Sequence, residues 1–356
     1  MPTLSTSDLD TPLITVDLDR VESNVRRMQE SCDGRGLAFR PHIKTHKLPQ
    51  IARLQLDAGA VGIACQKVGE AEVMAEAGIG DIMITFPIIG SSKVRRLAGL
   101  AKTVSLSTVA DSTAGVRGLS AGLAAEGATA GLLVECDTGF GRTGVQTPEQ
   151  AAELAQLADG LPGLRFAGLM TYPTLAGTAE WIARARGLIE GRGLAVERVS
   201  GGGTPTAFAG LEGGQVTELR AGTYVYGDRA CVANGTVPLE ACALLVRATV
   251  VSRPTADRAI LDAGSKALTS DLPAGAERLT GYGMLLEHPQ AEIYGLSEEH
   301  GHVDVSRCPA PPEIGDVVSI VPNHACATVN LYDTVLVHRG AARVGVWPVA
   351  ARGRMA

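Results

Sequence analysis

The sequence predicts a parallel (β/α)8 barrel followed by a C-terminal β domain, and three observations carry that prediction. Short β-branched runs alternate with Ala/Leu/Glu-rich stretches of helical period as far as about residue 235. Eight such runs occur, the number that closes a barrel. After residue 236 the helical stretches give way to strand-like runs parted by Gly, Pro and Asp turns.

The eight runs, in order, are LAFRPHI (37–43), AVGIAC (60–65), DIMIT (81–85), TVSLS (103–107), GLLVECD (131–137), LRFAGLMT (164–171), LAVERVS (194–200) and VTELRAG (216–222). Between most of them lie amphipathic segments such as KVGEAEVMAEAG and TPEQAAELAQLADG. The second places Thr147 as N-cap, Pro148 at the first helical position and Gln150 to close a capping box. An open doubly wound sheet of the same elements is the alternative. The β runs that follow are ACALLVRATVVS, RAILDAG, GHVDVS, DVVSIVP, DTVLVHR and ARVGVWPV. PLITVDLD near the start has no helix-linked partner, so it is expected to join them. The expected division is 18–235 for the barrel and 236–356 for the β domain, with 1–17 added to the latter.

Composition narrows the function classes. At 356 residues the chain is long enough for two domains. A net charge of −6 offers no attraction to nucleic acid or to an acidic membrane. The first twelve residues, MPTLSTSDLDTP, lack the features of a signal peptide. No apolar run approaches the ~20 residues of a membrane span. Seven scattered cysteines with no CxxC pair fit a reducing, cytoplasmic setting.

Four stretches carry chemistry. RPHIKTHK (40–47) packs two lysines, two histidines and an arginine at a strand end. Lys44, among His42, His46, Lys47 and Arg40, has the cationic company that favours the neutral amine of a Schiff-base lysine. A solvated basic turn is the plain reading. SGGGT (200–204) follows the seventh run, where barrels of this kind hold phosphate, and its glycines let backbone N–H groups converge on an anion. A simple glycine-rich turn is the other reading. GFGRTG (139–144) matches a dinucleotide fingerprint formally, but it does not stand in the first βαβ unit, and Asp159 at the required distance falls in a helix end. Arg142 within it reads better as a donor to an anionic ligand. In PNHACATVN (322–330), His324 and Cys326 alternate on an expected strand and so share a face. Imidazole and thiolate suit Zn²⁺ with open positions for water and substrate, or the pair is buried structural filler.

Taken in order, RPHIKTHK, CQKVGEAE (65–72), DTGFGRTG (137–144), SGGGT, TELRAGTYVYGD (217–228), SEEHG (297–301) and PNHACATVN resemble the D-threonine aldolase and D-serine dehydratase family. These are pyridoxal-phosphate enzymes of the alanine-racemase-like fold, fold type III, and the resemblance runs from TPLITVDLD to VWPVAARG. It implies a cofactor-bearing barrel, a C-terminal β domain and a homodimer with the active site near the subunit interface. It also implies residue roles. Lys44 holds the cofactor as a Schiff base, and Arg142 reaches its ring hydroxyl side. Gly202, Gly203 and Thr204, with Gly222 and Thr223 of RAGTY, hold the phosphate, and Tyr224 of the same motif is a further cofactor-binding residue. Gln66 and Tyr172 line the pocket, and Arg220 faces the pyridine nitrogen. His324 and Cys326 bind a divalent metal.

Three departures from the family pattern stand out. His-x-Cys, more like D-serine dehydratase, stands where the aldolases usually carry His-x-Asp, which shifts the expected metal toward zinc, with manganese and then magnesium as the other options. YPT (172–174) stands where a Tyr-His-Gly-like stretch is usual. LRAGTYVYG is close to the alanine racemase pattern, whose arginine leaves the pyridine nitrogen unprotonated and shifts activation toward the metal. The activity implied is retro-aldol cleavage of a D-β-hydroxy-α-amino acid, D-threonine first, to glycine and an aldehyde. Alternatives with the same parts are dehydration of D-serine or 3-hydroxy-D-aspartate, and amino-acid racemisation. A non-catalytic pyridoxal-phosphate carrier would not need the second domain.

Overall fold

The computed structural model describes residues 10–208, 211, 214–271 and 279–356. Strand β1 (Leu13–Asp17) opens the chain and the helix Leu18–Asp33 follows. Eight parallel strands come next among the described residues: β2 (Ala38–Phe39), β3 (Ile63–Cys65), β4 (Asp81–Ile84), β5 (Ser105–Ala110), β6 (Ala130–Cys136), β7 (Leu164–Thr171), β8 (Arg198–Gly201) and β9 (Glu218–Leu219). They pair in the order β2-β9-β8-β7-β6-β5-β4-β3, and a parallel bridge between His42 and Ala64 joins the two ends of that order. The eight expected runs are therefore the eight strands of a barrel.

The alternation of side chains sorts the core. Met83, Val109, Leu133, Ala167 and Met170 form one buried cluster, which alternation assigns to the barrel interior. Their neighbours Ile82, Ile84, Leu132, Val134 and Leu169 belong to a larger cluster shared with helix residues such as Val116, Leu119 and Ala155. On β7 the alternation slips at Gly168, where the pairing with β6 shifts register. Only glycine fits there, because a Cβ would lie 2.0 Å from the Arg198 carbonyl oxygen. The helix Pro148–Asp159 starts as its sequence predicts. Thr147 Oγ1 accepts the Gln150 N–H, and Gln150 Oε1 accepts the Thr147 N–H, each at 3.2 Å. Such a cap contributes about 0.5–2 kcal/mol.

Strands β10 (Leu244–Thr255), β11 (Arg258–Leu261), β12 (Met284–Leu285), β13 (Glu292–Leu296), β14 (Gly301–Asp304), β15 (Val317–Val321), β16 (Thr334–Arg339) and β17 (Ala342–Pro348) build a second sheet. Its order is β13-β14-β11-β10-β1-β16-β17, with β15 joining β10 and β12 joining β15. All pairs are antiparallel except β1 with β16. The chain divides into two compact units. One comprises residues 27–44, 49–222 and 353–356 and holds the parallel strands; the other comprises 1–26, 45–48 and 223–352 and holds the second sheet. Among the described residues no helix is long and apolar enough to cross a membrane.

Two expectations need correction. The run 37–43 is a strand only over Ala38–Phe39. Beyond it Arg40 turns its side chain to Glu218 and Asp81, at 2.8 and 2.6 Å, and the chain enters a 3-10 turn at Ile43–Thr45. His324 and Cys326 do not lie on a strand. The Asp228 carboxylate accepts the Ala325 N–H at 3.1 Å, and a helix runs over Ala325–Val329 with His324 as its N-cap.

Candidate active site

In the barrel unit the predicted residues stand after six of the eight parallel strands, at one end. Gln66, Tyr172, Gly202 and Arg220 each directly follow the last residue of β3, β7, β8 and β9. Lys44 and Arg142 lie in the loops after β2 and β6. Parallel strands share one direction, so all six positions belong to the C-terminal rim, where barrels of this type build their sites.

Lys44 sits in the 3-10 turn, partly exposed, and its amine has no hydrogen bond or ion pair to a described residue. Lys47 is buried instead, and its Nζ donates to Asn330 Oδ1 at 2.7 Å. Of the two lysines of RPHIKTHK, Lys44 has the free amine. The His42 ring beside it is fixed, with Nε2 3.0 Å from Gln66 Oε1 and 3.1 Å from Thr85 Oγ1.

The glycine loop after β8 tolerates no side chain. A Cβ on Gly203 would lie 2.8 Å from Tyr172 Cε2. Gly202 has φ +73°, and a Cβ there would lie 2.7 Å from Leu219 Cδ1. Backbone that must stay bare next to a ring suits the close approach of an anionic group. Gly202→Ala is expected to cost about 1–2 kcal/mol from the left-handed backbone alone. Urea unfolding measures this, and an unchanged midpoint would count against the geometry.

Asp137 shapes the loop that carries Arg142. Its Oδ1 accepts the N–H groups of Gly139, Phe140 and Gly141 at 3.0, 2.8 and 3.1 Å. The Arg142 guanidinium lies 5.1 Å from the Tyr172 ring centroid and 5.6 Å from that of Phe140. It makes no hydrogen bond or ion pair to a described residue, so its fork of donors is available to an oxyanion.

Arg220 is buried. Its Nε donates to Ser200 Oγ at 2.9 Å and its Nη2 to the Thr171 carbonyl at 2.8 Å. Ser200 in turn donates to Glu218 Oε1 at 2.6 Å. Burial pulls the Arg220 pKa down to about 10, against the opposing pull of Glu218 and Glu135. Nη1 has no partner among the described residues and remains as a donor for a ligand atom.

Glu135 shares the inward face of β6 with Leu133 and is 3% exposed. Thr143 donates to its Oε1 at 2.6 Å, while Oε2 has no hydrogen-bond partner among the described residues. Burial raises its pKa above the ordinary 4.5, although Thr143, Arg142 and Arg220 work the other way. A raised folded-state pKa means stability is full below about 4.5 and declines as pH rises through the folded value. Glu135→Gln is expected to remove that decline in the cofactor-free protein. Urea midpoints from about pH 4.5 to 7 test it, and an equal slope in both proteins would refute it.

The second unit carries the His–Cys pair. His324 Nδ1 lies 2.5 Å from Asp271 Oδ2. Cys326 Sγ lies 3.1 Å from Thr45 Oγ1 and 3.5 Å from Thr223 Oγ1. Burial alone would lower the His324 pKa, but its hydrogen bonds to Cys326 and Asp271 and the charges of Cys326 and Asp228 lift it to about 9. The two side chains therefore do meet, as expected, though through a helix start. Thr223, expected beside the phosphate, has its hydroxyl toward Cys326, and Tyr224 is buried. Among the described residues no group of three His, Cys, Asp or Glu side chains converges as a metal site. A cation here would take two protein ligands and complete its shell with water or substrate, the open arrangement of a Lewis acid.

Sequence reasoning passed over Glu135, Asp137, Ser200 and Asp271. Glu135 was detectable as a lone charge inside the apolar run GLLVEC. Asp271, fifty-three positions from His324, carries no local signal.

An eight-stranded parallel barrel with a lysine and a glycine loop on its C-terminal rim, in a chain that also carries a separate antiparallel sheet, is the alanine-racemase-like architecture, whose family implies pyridoxal phosphate. The rim fits that cofactor: a free amine, a bare glycine loop and two arginines with unengaged donors. The profile of the alanine racemase N-terminal domain matches residues 16–230, and that of a serine dehydratase domain matches residues 243–338. The chain belongs to the D-threonine aldolase and D-serine dehydratase family, a family of lyases. It is 36% identical to a D-threonine aldolase of an Arthrobacter species over 97% of this chain and 93% of that one. Among solved structures, the D-threonine aldolase of Filomicrobium marinum is similar with a TM-score of 0.88 and 34% identity, covering 98% of each chain. A D-threo-3-hydroxyaspartate dehydratase, described as a cysteine variant in the metal-free form, is similar with a TM-score of 0.84 and 29% identity over 98% of this chain and 99% of that one.

Proposed function

We propose that the protein cleaves D-β-hydroxy-α-amino acids, D-threonine foremost, to glycine and an aldehyde, using pyridoxal phosphate and a divalent metal. The observation that carries this reading is the His324–Cys326 pair with its ring anchored by Asp271. A racemase would need a second base and no metal, and a carrier would need neither. Bound pyridoxal phosphate supplies the electron sink for the charge left at Cα when the Cα–Cβ bond breaks. A divalent cation, zinc or manganese before magnesium, supplies acidity and orientation at the β-hydroxyl.

This chain's residues do the rest. In the barrel unit Lys44 attaches the cofactor through its amine and carries protons at Cα. The backbone of Gly202, Gly203 and Thr204, with Gly222, holds the phosphate. Arg142 donates to the ring hydroxyl oxygen, and Arg220 presents Nη1 to the ring nitrogen. Gln66 fixes His42, and Tyr172 stacks against Arg142. In the other unit His324 and Cys326 ligate the metal, and Thr223 and Tyr224 are assigned to the cofactor by their motif. For domain limits we take 18–235 as the cofactor domain and 236–356 with 1–17 as the metal domain.

The His-x-Cys pair also favours a second reading. The D-threo-3-hydroxyaspartate dehydratase to which the chain is similar is described, as a cysteine variant, as metal-free. In a dehydratase Lys44 would take the Cα proton and the β-hydroxyl would leave. A product assay over D-threonine, D-allo-threonine, D-serine and 3-hydroxy-D-aspartate separates the readings. Acetaldehyde with glycine from D-threonine is the expected result. Pyruvate from D-serine without aldehyde would establish the dehydratase. Racemised substrate alone, or turnover of L-threonine at a comparable rate, would overturn both. Seven free cysteines support a cytoplasmic setting, and family membership supports a homodimer, which sedimentation would test.

A further inference from the structure

We propose that Asp271 is the positioning residue of the metal pair, fixing the tautomer and orientation of His324. The proposal rests on the reading of His324 and Cys326 as metal ligands and deepens it. A cation displaces one proton from the imidazole on binding, and the neutral ring then carries one N–H and a lone pair only on its other nitrogen. Asp271 Oδ2 stands 2.5 Å from Nδ1, so the carboxylate accepts the Nδ1–H and leaves Nε2 as the ligating atom. The imidazole is 23% exposed and the carboxylate 56%, so the hydrogen bond closes the outer side of a largely buried ring.

The backbone beneath the ring is held independently. The Ala325 N–H is taken by Asp228 at 3.1 Å, and the His324 carbonyl accepts the Thr328 N–H at 3.1 Å. With the backbone fixed from one side, the ring has one remaining freedom, rotation about its side-chain bonds, and Asp271 removes it. Asp271 is not assigned as a third ligand, because its Oδ2 is engaged by the ring and no three candidate ligands converge among the described residues. A carboxylate behind a ligating histidine both orients the ring and raises its basicity.

The test uses the full-length, cofactor-loaded protein, stripped of metal and titrated with Zn²⁺ against a chromophoric chelator. Asp271→Ala is expected to weaken Zn²⁺ binding about 10–100-fold. Asp271→Asn, whose amide oxygen can still accept the Nδ1–H, is expected to lose less. Cofactor absorbance and the unfolding midpoint of the stripped protein should match the unaltered protein in both variants; a purely structural role would move these and spare the affinity ratio. Unaltered Zn²⁺ affinity in Asp271→Ala, with binding abolished in His324→Ala, would overturn the proposal and leave the metal assignment standing. Unaltered affinity in His324→Ala and Cys326→Ala as well would remove the metal assignment and the proposal together.

Discussion

Lys44→Ala is expected to leave a protein that no longer acquires a borohydride-stable cofactor label and turns over about 10²–10⁴-fold more slowly or worse, the span of a lost proton-transfer group. Loss of covalent attachment adds to that figure. The matched variant is Lys47→Ala. Its amine is buried and bonded to Asn330, so its loss leaves the amide oxygen without that donor and costs about 1–3 kcal/mol of stability. Labelling should persist in Lys47→Ala. Peptide mapping after reduction reads both results directly. Label on Lys47, or full labelling of Lys44→Ala, would reverse the assignment.

The second large effect is expected on removing the metal. On the proposed reading, metal activation of the β-hydroxyl is expected to contribute on the order of several kcal/mol to the transition state. At about 1.4 kcal/mol per tenfold, that is several orders of magnitude in rate. Treatment with a strong chelator, or His324→Ala, should therefore abolish aldehyde release while the cofactor absorbance stays in place. The two effects are expected to separate because different residues are assigned to them, Lys44 to the cofactor and His324 with Cys326 to the metal. Restoring Zn²⁺ or Mn²⁺ to the stripped protein should restore activity, whereas His324→Ala should not respond. Full aldehyde release in the stripped protein would remove the metal from the mechanism.

The local patterns that survived into the structure were those a short window of chain can impose. The eight parallel strands announced themselves because strands covered on both faces read as continuous apolar runs. The helix at Pro148–Asp159 was marked by a capping box that is complete within four residues. Motif order then supplied the family, and with it Lys44, Arg142 and the glycine loop.

What local sequence could not determine are outcomes fixed by distant partners. LAFRPHI has the composition of a long strand, yet the burial of Arg40 against Glu218, far along the chain, ends it at Phe39. His324 and Cys326 alternate like strand residues, yet the carboxylate of Asp228 captures an intervening N–H and starts a helix. The pair meets in either geometry, so its chemistry was legible while its conformation was not. Asp271 shows the same limit. An aspartate in TSDLP is unremarkable until folding sets it 2.5 Å from a histidine ring. Sequence by itself determined the eight parallel runs of the barrel and the reactive residue types, because periodicity and motif spacing act over a few residues. Only tertiary structure decided which lysine has a free amine, which arginine atoms remain open and which carboxylate stands behind His324. Those depend on hydrogen bonds between segments that the chain brings together only when folded.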